Sequence, residues 1–308
     1  MRPGWTAGVT RARLLLSRVI GAEQARAIAS RRSLDEAIAA LAGSAYGERV
    51  PAGTGLLAAQ RGVAETLLWH LRILAGWLPS AGVGLVRVLA GWFELANVDA
   101  RLAALAGEGR ASRPFELGAL ATAWPRAAQA RTVEEIAAAV GGSAWGHVGG
   151  GAAAELALGL RVSWARRVQE SAPEAGDWVA GAGALLVARE LFVAGSHAHA
   201  AQLRRLPAVG EEPLRADSIG ELRIRLGRQG AWALEGVTGP GELWRAERGW
   251  WSRVECDAVA LLRRWGDEEV VAAAVALLAV DAQRSVRAIE AAARGGEPEL
   301  VELIGGAA

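Results

Sequence analysis

The sequence lacks lysine altogether and has only one cysteine, one methionine and one tyrosine in 308 residues. Without lysine there is no P-loop, whose lysine binds the phosphates, and no lysine Schiff base. With Cys256 alone, neither an intrachain disulfide nor a cysteine-based zinc or iron–sulfur site is available, which fits a reducing compartment. The 34 basic residues, all arginine, nearly balance 33 acidic ones, so the net charge implies no strongly charged partner.

Long apolar runs and alternating β-branched segments are also scarce. No stretch has the length and composition of a membrane-spanning helix, and the N-terminal arginines flank too short an apolar run for a secretion signal. Hydrophobic residues make up 52 %, which excludes wholesale disorder. Leu85, Val88, Leu89 and Trp92 follow the spacing of an amphipathic helix, and 267–294 contains neither glycine nor proline. These features predict an all-α protein.

One sixteen-residue segment occurs twice, at 32–47 and 131–146, with an offset of 99 residues. Eight of the sixteen positions are identical, and most others are conservative changes. Both copies open with a hydroxyl residue followed three positions later by glutamate, which is the capping-box pattern of a helix start. A weaker third copy follows near residue 218. The predicted helix caps are Ser33 with Glu36, Thr132 with Glu135, and Ser218 with Glu221.

The repeat predicts three helical units of about 100 residues within one compact all-α protein, at 1–109, 110–210 and 211–308. Each unit ends in a long helix that carries one acid after an apolar lead-in, and these acids are Glu94, Glu190 and Asp281. Asp281 and Ser285 continue the apolar stripe of the last helix, so we expect Asp281 to be at least partly buried. Because a buried acid needs a partner, we expect Asn97 to supply one in the first unit.

The ordered set of these motifs resembles the C subunit of A/V-type ATPases and ATP synthases, called subunit d in eukaryotic V-type ATPases. Residues 11–15 match the family's Arg-x-Arg stretch before leucines, and 33–47 match its Ser-x-Glu-Glu helix and Gly-Thr-x-Tyr-Gly turn. Residues 93–98 mirror its Tyr-Asp-x-x-Asn-Leu stretch, and 281–287 mirror its Glu-x-x-x-Asn-Leu-Arg stretch. The resemblance covers essentially the whole chain, although Phe93 replaces the family's tyrosine and Ser285 its asparagine.

The resemblance implies a funnel-shaped protein of three similar helical lobes around a pseudo-threefold axis. Such a subunit has no catalytic site, cofactor or metal of its own and does not itself span the membrane. It lies on the cytoplasmic face, receives the central-stalk subunits D and F, and transmits torque to the proteolipid rotor ring of c-, K- or L-type subunits. The motor then transports protons or sodium ions. The alternative is a free-standing α-helical scaffold or adaptor that kept the fold but not the motor.

Three other features point more weakly to function. His197 and His199 beside Glu190 suggest metal ligands, but alternate residues of a helix point about 200° apart, which favours a structural or surface role. The arginines near residue 225 are matched by nearby acids, as on a solvated face, so we expect no nucleic-acid partner. The resemblance implies no small-molecule substrate. Trp250 and Trp251 cannot both face one core, so we expect one to be exposed as a candidate partner contact.

Overall fold

A computed structural model describes residues 2–108, 113–149, 151–264 and 266–297. Every regular element in these ranges is a helix, which confirms the predicted all-α class. The α-helices are α1 (Thr6–Leu16), α2 (Gly21–Ala29), α3 (Leu34–Leu41), α4 (Leu56–Ala75), α5 (Ser80–Leu89), α6 (Trp92–Leu105), α7 (Trp124–Ala127), α8 (Val133–Gly141), α9 (Ala153–Ser171), α10 (Gly176–Phe192), α11 (Ala200–Leu203), α12 (Ile219–Arg225), α13 (Gly227–Ala231), α14 (Leu243–Leu261) and α15 (Asp267–Ala293). Short 3₁₀ turns lie at Pro3–Trp5, Gly118–Leu120, Pro173–Ala175, Glu212–Arg215, Trp232–Leu234 and Pro240–Glu242.

The chain divides into two compact units. The first consists of the residues up to Val86 together with those from Trp251 on, and the second is Arg87–Trp250. The boundaries between them fall within α5 and α14. Because compactness does not test for internal repeats, the three units at 1–109, 110–210 and 211–308 stay a prediction.

Helix α15 is the central element of the first unit, and α1, α2, α3 and α4 all pack against it. Its sequence is rich in alanine and valine on nearly every side, as is typical of a helix surrounded by others. Ala273 and Ala274 are completely buried, and their small side chains let neighbouring helices approach closely. The uninterrupted helix predicted over 267–294 is confirmed, since α15 ends at Ala293.

The described residues of the second unit form two apolar clusters. One joins α6, α7, α8 and α9 around Val98, Ile136 and Leu160. The other joins α9, α10, α12 and the turns that follow α12 around Val187 and Leu222. Helix α9 contributes residues to both clusters. It can do so because its apolar residues lie on more than one side of the helix.

The continuous helix predicted from the spacing of Leu85 to Trp92 is wrong, because the helix breaks at 90–91 between α5 and α6. The indole Nε1 of Trp164 donates to the carbonyl of Val88 at 2.8 Å. A continuous α-helix would pair that carbonyl with the amide of Trp92. A Cβ atom at Gly91 would lie 2.8 Å from the Trp164 ring, so glycine allows this close approach. An inserted side chain is a recognised cause of such a break.

Within the described residues, no single helix combines the length and hydropathy needed to cross a bilayer. One bent pair, Ser80–Leu89 with Trp92–Leu105, passes on length and composition together, with an angle of 49° at the break.

Candidate functional site

The three predicted helix caps are present with nearly the same geometry. The hydroxyls of Ser33, Thr132 and Ser218 accept from the glutamate amide three residues on, at 3.3, 3.2 and 3.2 Å. The carboxylates of Glu36, Glu135 and Glu221 accept in return from the amides of Arg32, Arg131 and Asp217, at 3.2, 2.6 and 2.8 Å. These amides lie one residue before the cap, rather than at the cap as in the usual capping box. All three copies therefore start a helix with the same device.

The turn after the capped helix is also the same in the first two copies. Ser44 donates to the carbonyl of Leu41 at 2.7 Å and accepts from the amide of Tyr46 at 3.2 Å. Ser143 donates to Val140 at 2.6 Å and accepts from the amide of Trp145 at 3.2 Å. The Gly-Ser-Ala-aromatic-Gly sequence is thus a hydrogen-bonded turn that places one large ring at a fixed position.

A glycine in the following long helix allows each turn to pack against that helix. A Cβ atom at Gly62 would lie 2.3 Å from the carbonyl oxygen of Arg49, and one at Gly159 would lie 1.7 Å from that of Val148. Real Cβ atoms do not approach backbone oxygens this closely, so glycine is required at both positions.

Asp281 of α15 fastens the entry to α2. Its carboxylate accepts from the amides of Ile20 at 3.2 Å and Gly21 at 2.9 Å, and from the hydroxyl of Tyr46 at 2.8 Å. Gly21 has φ of +73° and is the first residue of α2, so the carboxylate lies where the helix presents unpaired amides. Asp281 is 2 % exposed, which confirms the expected burial.

Burial governs the protonation of this site. It raises the pKa of Asp281 from its ordinary value, against the opposing effect of the amide and phenol donors. The pKa of Tyr46 also lies well above its ordinary value, first because the phenol is buried and then because of the negative charge of Asp281. Ser285 is completely buried and donates to the backbone carbonyl of Asp281 at 2.8 Å. The Ser285 hydroxyl is thus satisfied within α15, whereas the Asp281 carboxylate is satisfied by donors from residues 20, 21 and 46.

Glu94 of α6 binds the backbone at the start of α7, as Asp281 binds the backbone at the start of α2. Its carboxylate accepts from the consecutive amides of Thr122, Ala123 and Trp124, with a distance of 2.9 Å for Thr122. Trp124 is the first residue of α7, and Glu94 is 2 % exposed. A single buried carboxylate therefore holds the start of the helix that precedes the second capped helix.

Asn97 is not the partner of Glu94, so that prediction is wrong. Its side chain instead donates to the carbonyl of Phe115 at 2.9 Å and accepts from the amide of the same residue at 2.7 Å. Sequence proximity suggested a pair one turn apart, but backbone amides from 122–124 already satisfy the carboxylate. Glu94 and Asn97 thus hold two successive points of the segment that enters the second capped helix.

Glu190 has a different environment from the other two acids. It is partly exposed, and its carboxylate lies 3.1 Å from Nδ1 of His199. His197 and His199 lie in a turn before α11 rather than on a helix, so the helical argument against their meeting does not apply. Within the described residues, no group of three or more His, Cys, Asp or Glu side chains lies close enough to hold a metal ion.

The tryptophan pair does not supply the exposed side chain that we expected. Trp250 and Trp251 are both partly buried, and Nε1 of Trp250 donates to the carbonyl of Trp178 at 2.8 Å. Among the tryptophans that the structure describes, Trp77 and Trp244 are the exposed ones, at 54 % and 47 %. The sequence does not indicate that Trp77 and Trp244 are exposed. Each lies in a short loop or at a helix end, where too few residues repeat to distinguish a buried face from an exposed one.

Sequence analysis missed two further residues of the first unit. The phenol of Tyr46 binds Asp281, and the only available signal was that the chain's single tyrosine stands at the aromatic position of the repeat. His70 of α4 is 4 % exposed, and its pKa is lowered to about 4 by burial and by the charges of three arginines.

Asp281 and Glu94 are bound mainly by backbone amides at helix starts, an arrangement that joins segments of the chain. Comparison of the sequence with models of protein families and with curated proteins finds no significant match.

Proposed function

We propose that the chain is a non-catalytic central-stalk rotor subunit of an A/V-type ATPase or ATP synthase. In this role it links the D and F stalk subunits to the proteolipid ring and transmits torque for proton or sodium transport. It would lie on the cytoplasmic face of the membrane. The three similar lobes and the funnel shape belong to this proposal, as does the absence of catalytic activity.

The observation that carries the proposal is the use made of the residues that resemble the family's motifs. Glu94 and Asn97 come from the first such stretch, and both hold the backbone that leads into the second capped helix. Asp281 comes from the last stretch and holds the backbone at the start of α2. The matching positions are therefore buried joints between helices, as we expect for residues that define a shared fold.

The order of these joints is a second support. Asp281 lies near the end of the chain, yet it binds Gly21 near the start, and Tyr46 of the first copy completes its contacts. A carboxylate from the last long helix thus has the same relation to the first copy as Glu94 has to the second. Two of the three acids therefore make the same kind of joint, while Glu190 contacts His199 instead. A part that transmits torque needs helices that are firmly joined to one another, and it needs no catalytic group.

The test is to recover the tagged protein from gently solubilised native membranes and to identify the proteins that accompany it. The proposal predicts the D and F stalk subunits together with the ring proteolipid. An untagged strain and the soluble fraction of the same cells are the controls. Recovery of the chain alone, or with soluble partners only, would refute the rotor role and favour the free-standing scaffold.

A second experiment tests torque transmission directly. In inverted membrane vesicles from a strain that lacks this chain, we expect ATP hydrolysis by the catalytic subunits to persist while ATP-driven ion transport is lost. Purified protein added back should restore transport. Unchanged transport without the chain would contradict the proposed link between stalk and ring.

A further inference from the structure

The acid of α10 has the same place in its helix as the other two acids, but the chain beyond it takes a different course. Glu94, Glu190 and Asp281 each lie fourteen residues after the start of their helical stretch, and these starts are Ser80, Gly176 and Asp267. Helix α6 continues for eleven residues beyond Glu94 and α15 for twelve beyond Asp281, whereas α10 ends two residues beyond Glu190. The second long helix is therefore cut short just after its acid.

Helix α10 is terminated by a glycine. Gly195 has φ of +62°, a left-handed conformation that stops the helix, and the amide of Ala194 donates to the carbonyl of Arg189 at 2.9 Å. This early end lets Nδ1 of His199 come within 3.1 Å of the Glu190 carboxylate. On a continued helix, residues nine apart would lie on opposite sides and about 13 Å apart along the axis. The contact therefore exists only while α10 ends where it does.

Few contacts hold the stretch that follows. None of the residues 193–202, all of which the structure describes, is buried, and Ala200 packs only in part against the apolar cluster of α9, α10 and α12. Within this stretch, the side chains of His199 and Gln202 are the two that hydrogen-bond to another helix. Nε2 of Gln202 donates to the backbone carbonyl of Glu155 at 3.1 Å. We call residues 193–202 the strap.

The segments that lead into the first two capped helices are held more firmly. There the carboxylates of Asp281 and Glu94, each 2 % exposed, accept from backbone amides. The contact between His199 and Glu190 joins two side chains with 22 % and 23 % of their surface exposed. Water screens such a pair, so it contributes much less to stability than a buried carboxylate that binds several amides.

We propose that the strap is a releasable joint. Residues 193–202 detach from α9 and α10 when the contact between His199 and Glu190 breaks, while the helices around them stay folded. Segments with few buried contacts open locally, at a lower free energy than global unfolding requires. The strap ends at Leu203, whose side chain is completely buried and keeps α11 anchored. The chain thus has two fixed joints and one that opens, on the path from α10 to the third capped helix.

The test is hydrogen–deuterium exchange of the purified full chain, followed for single amides by NMR and corrected for intrinsic exchange rates. The amides of Ser196 and Gln202 donate to backbone carbonyls in and beside the strap. We expect them to exchange at least about a hundredfold faster than the amides of Gly21 and Thr122, which the buried carboxylates bind.

Two variants show whether the proposed contact holds the strap. His199→Ala should speed exchange of the Ser196 and Gln202 amides by about threefold or more. The matched control is His197→Ala, which removes an exposed histidine of the same strap and should change these rates by less than about 1.5-fold. Adding Glu190→Ala to His199→Ala should give no further acceleration, because both changes remove one contact. Circular dichroism establishes that each variant is folded.

Three outcomes would overturn the proposal. Exchange in the strap as slow as that of the Gly21 amide would mean that the strap does not open by itself. Acceleration in His199→Ala that extends equally to the buried amides of α9 and α10 would mean that the strap opens only with the whole unit. Equal acceleration in His197→Ala would mean that the contact with Glu190 does not hold the strap.

This inference goes beyond the rotor role and does not depend on it, because it concerns a joint within this chain alone. A chain whose strap opens but that emerges from membranes without stalk and ring would keep the releasable joint and lose the rotor role. A chain recovered with the motor whose strap exchanges slowly would do the reverse.

Discussion

The first and second copies of the repeat have the same turn, but the aromatic side chains of these turns contact different partners. In the first, the aromatic ring is Tyr46, and its hydroxyl binds Asp281 at 2.8 Å. In the second it is Trp145, whose buried Nε1 has no acceptor within the described residues, while the guanidinium of Arg167 lies 4.6 Å from the ring centroid. The shorter Asp281 needs the phenol as a third donor, whereas Glu94 takes three backbone amides.

This difference shows which part of the repeat is interchangeable. The cap, the serine turn and the close-packed glycine recur because each satisfies backbone groups, whose geometry does not change between copies. The aromatic position recurs only as a large ring, because its polar atom meets surroundings that differ.

The largest loss of stability should come from adding a side chain at the glycines that contact the turns. Gly159→Ala would place a Cβ atom 1.7 Å from the carbonyl of Val148, and we expect a loss of about 4 kcal/mol of unfolding free energy. Gly62→Ala, with a 2.3 Å approach, should cost about 2 kcal/mol. Urea unfolding measures both. The control Gly84→Ala enters open space in α5 and should not destabilise; equal stability of all three variants would mean that the turns do not pack as described.

The next largest loss of stability should come from replacing the buried acids by their amides. We expect Asp281→Asn and Glu94→Gln each to cost about 3 kcal/mol, because the amide group turns one donor toward backbone amides that need acceptors. Thermal and urea unfolding measure the loss. Glu190→Gln is the control at a partly exposed acid and should cost less than about 1 kcal/mol. A larger loss for Glu190→Gln than for Asp281→Asn would contradict the roles assigned to the two acids.

Acidification should destabilise the first unit through His70. Its pKa is about 4 in the folded protein and about 6.5 when unfolded, so the unfolded chain binds the proton more tightly between these values. Stability that is present above pH 6.5 is then lost as the pH falls toward 4, by about 2 to 3 kcal/mol.

Asp281 contributes with the opposite sign, because its raised pKa favours the folded state at low pH and this stabilisation is lost as the pH rises above about 4. Comparing the wild type with His70→Gln isolates the histidine, since both retain Asp281. Parallel stability curves for the two proteins between pH 4 and 6.5 would contradict a buried, neutral His70.

Tyr46→Phe should cost about 2 kcal/mol, because a charged carboxylate loses a buried donor. In a double-mutant cycle with Asp281→Asn, we expect the two losses to be clearly less than additive. The pKa of Asp281 should rise further in Tyr46→Phe, as measured by NMR titration. Additive losses would mean that the phenol and the carboxylate do not interact, and would remove the difference between the two copies.

The smallest effect concerns the caps that the copies share. Glu36→Ala and Glu135→Ala should each cost about 1 kcal/mol, since each removes an acceptor from a backbone amide. Chemical denaturation compares them with Glu48→Ala, which changes an exposed glutamate in the turn and should be nearly neutral. Unequal losses at the two caps would show that this device, too, has diverged.

The sequence by itself determined the helical class, the three caps and the burial of Asp281. Each of these rests on local rules, because a hydroxyl followed by glutamate, or a small-residue helix with apolar positions all round, acts within a few turns of the chain. The tertiary structure alone decided which partners those residues meet. The break at 90–91 depends on Trp164, the partners of Glu94 come from 122–124, and Tyr46 meets an aspartate 235 residues away. Such pairs have no period or spacing in the sequence, because they are set by how the helices pack rather than by where they begin and end.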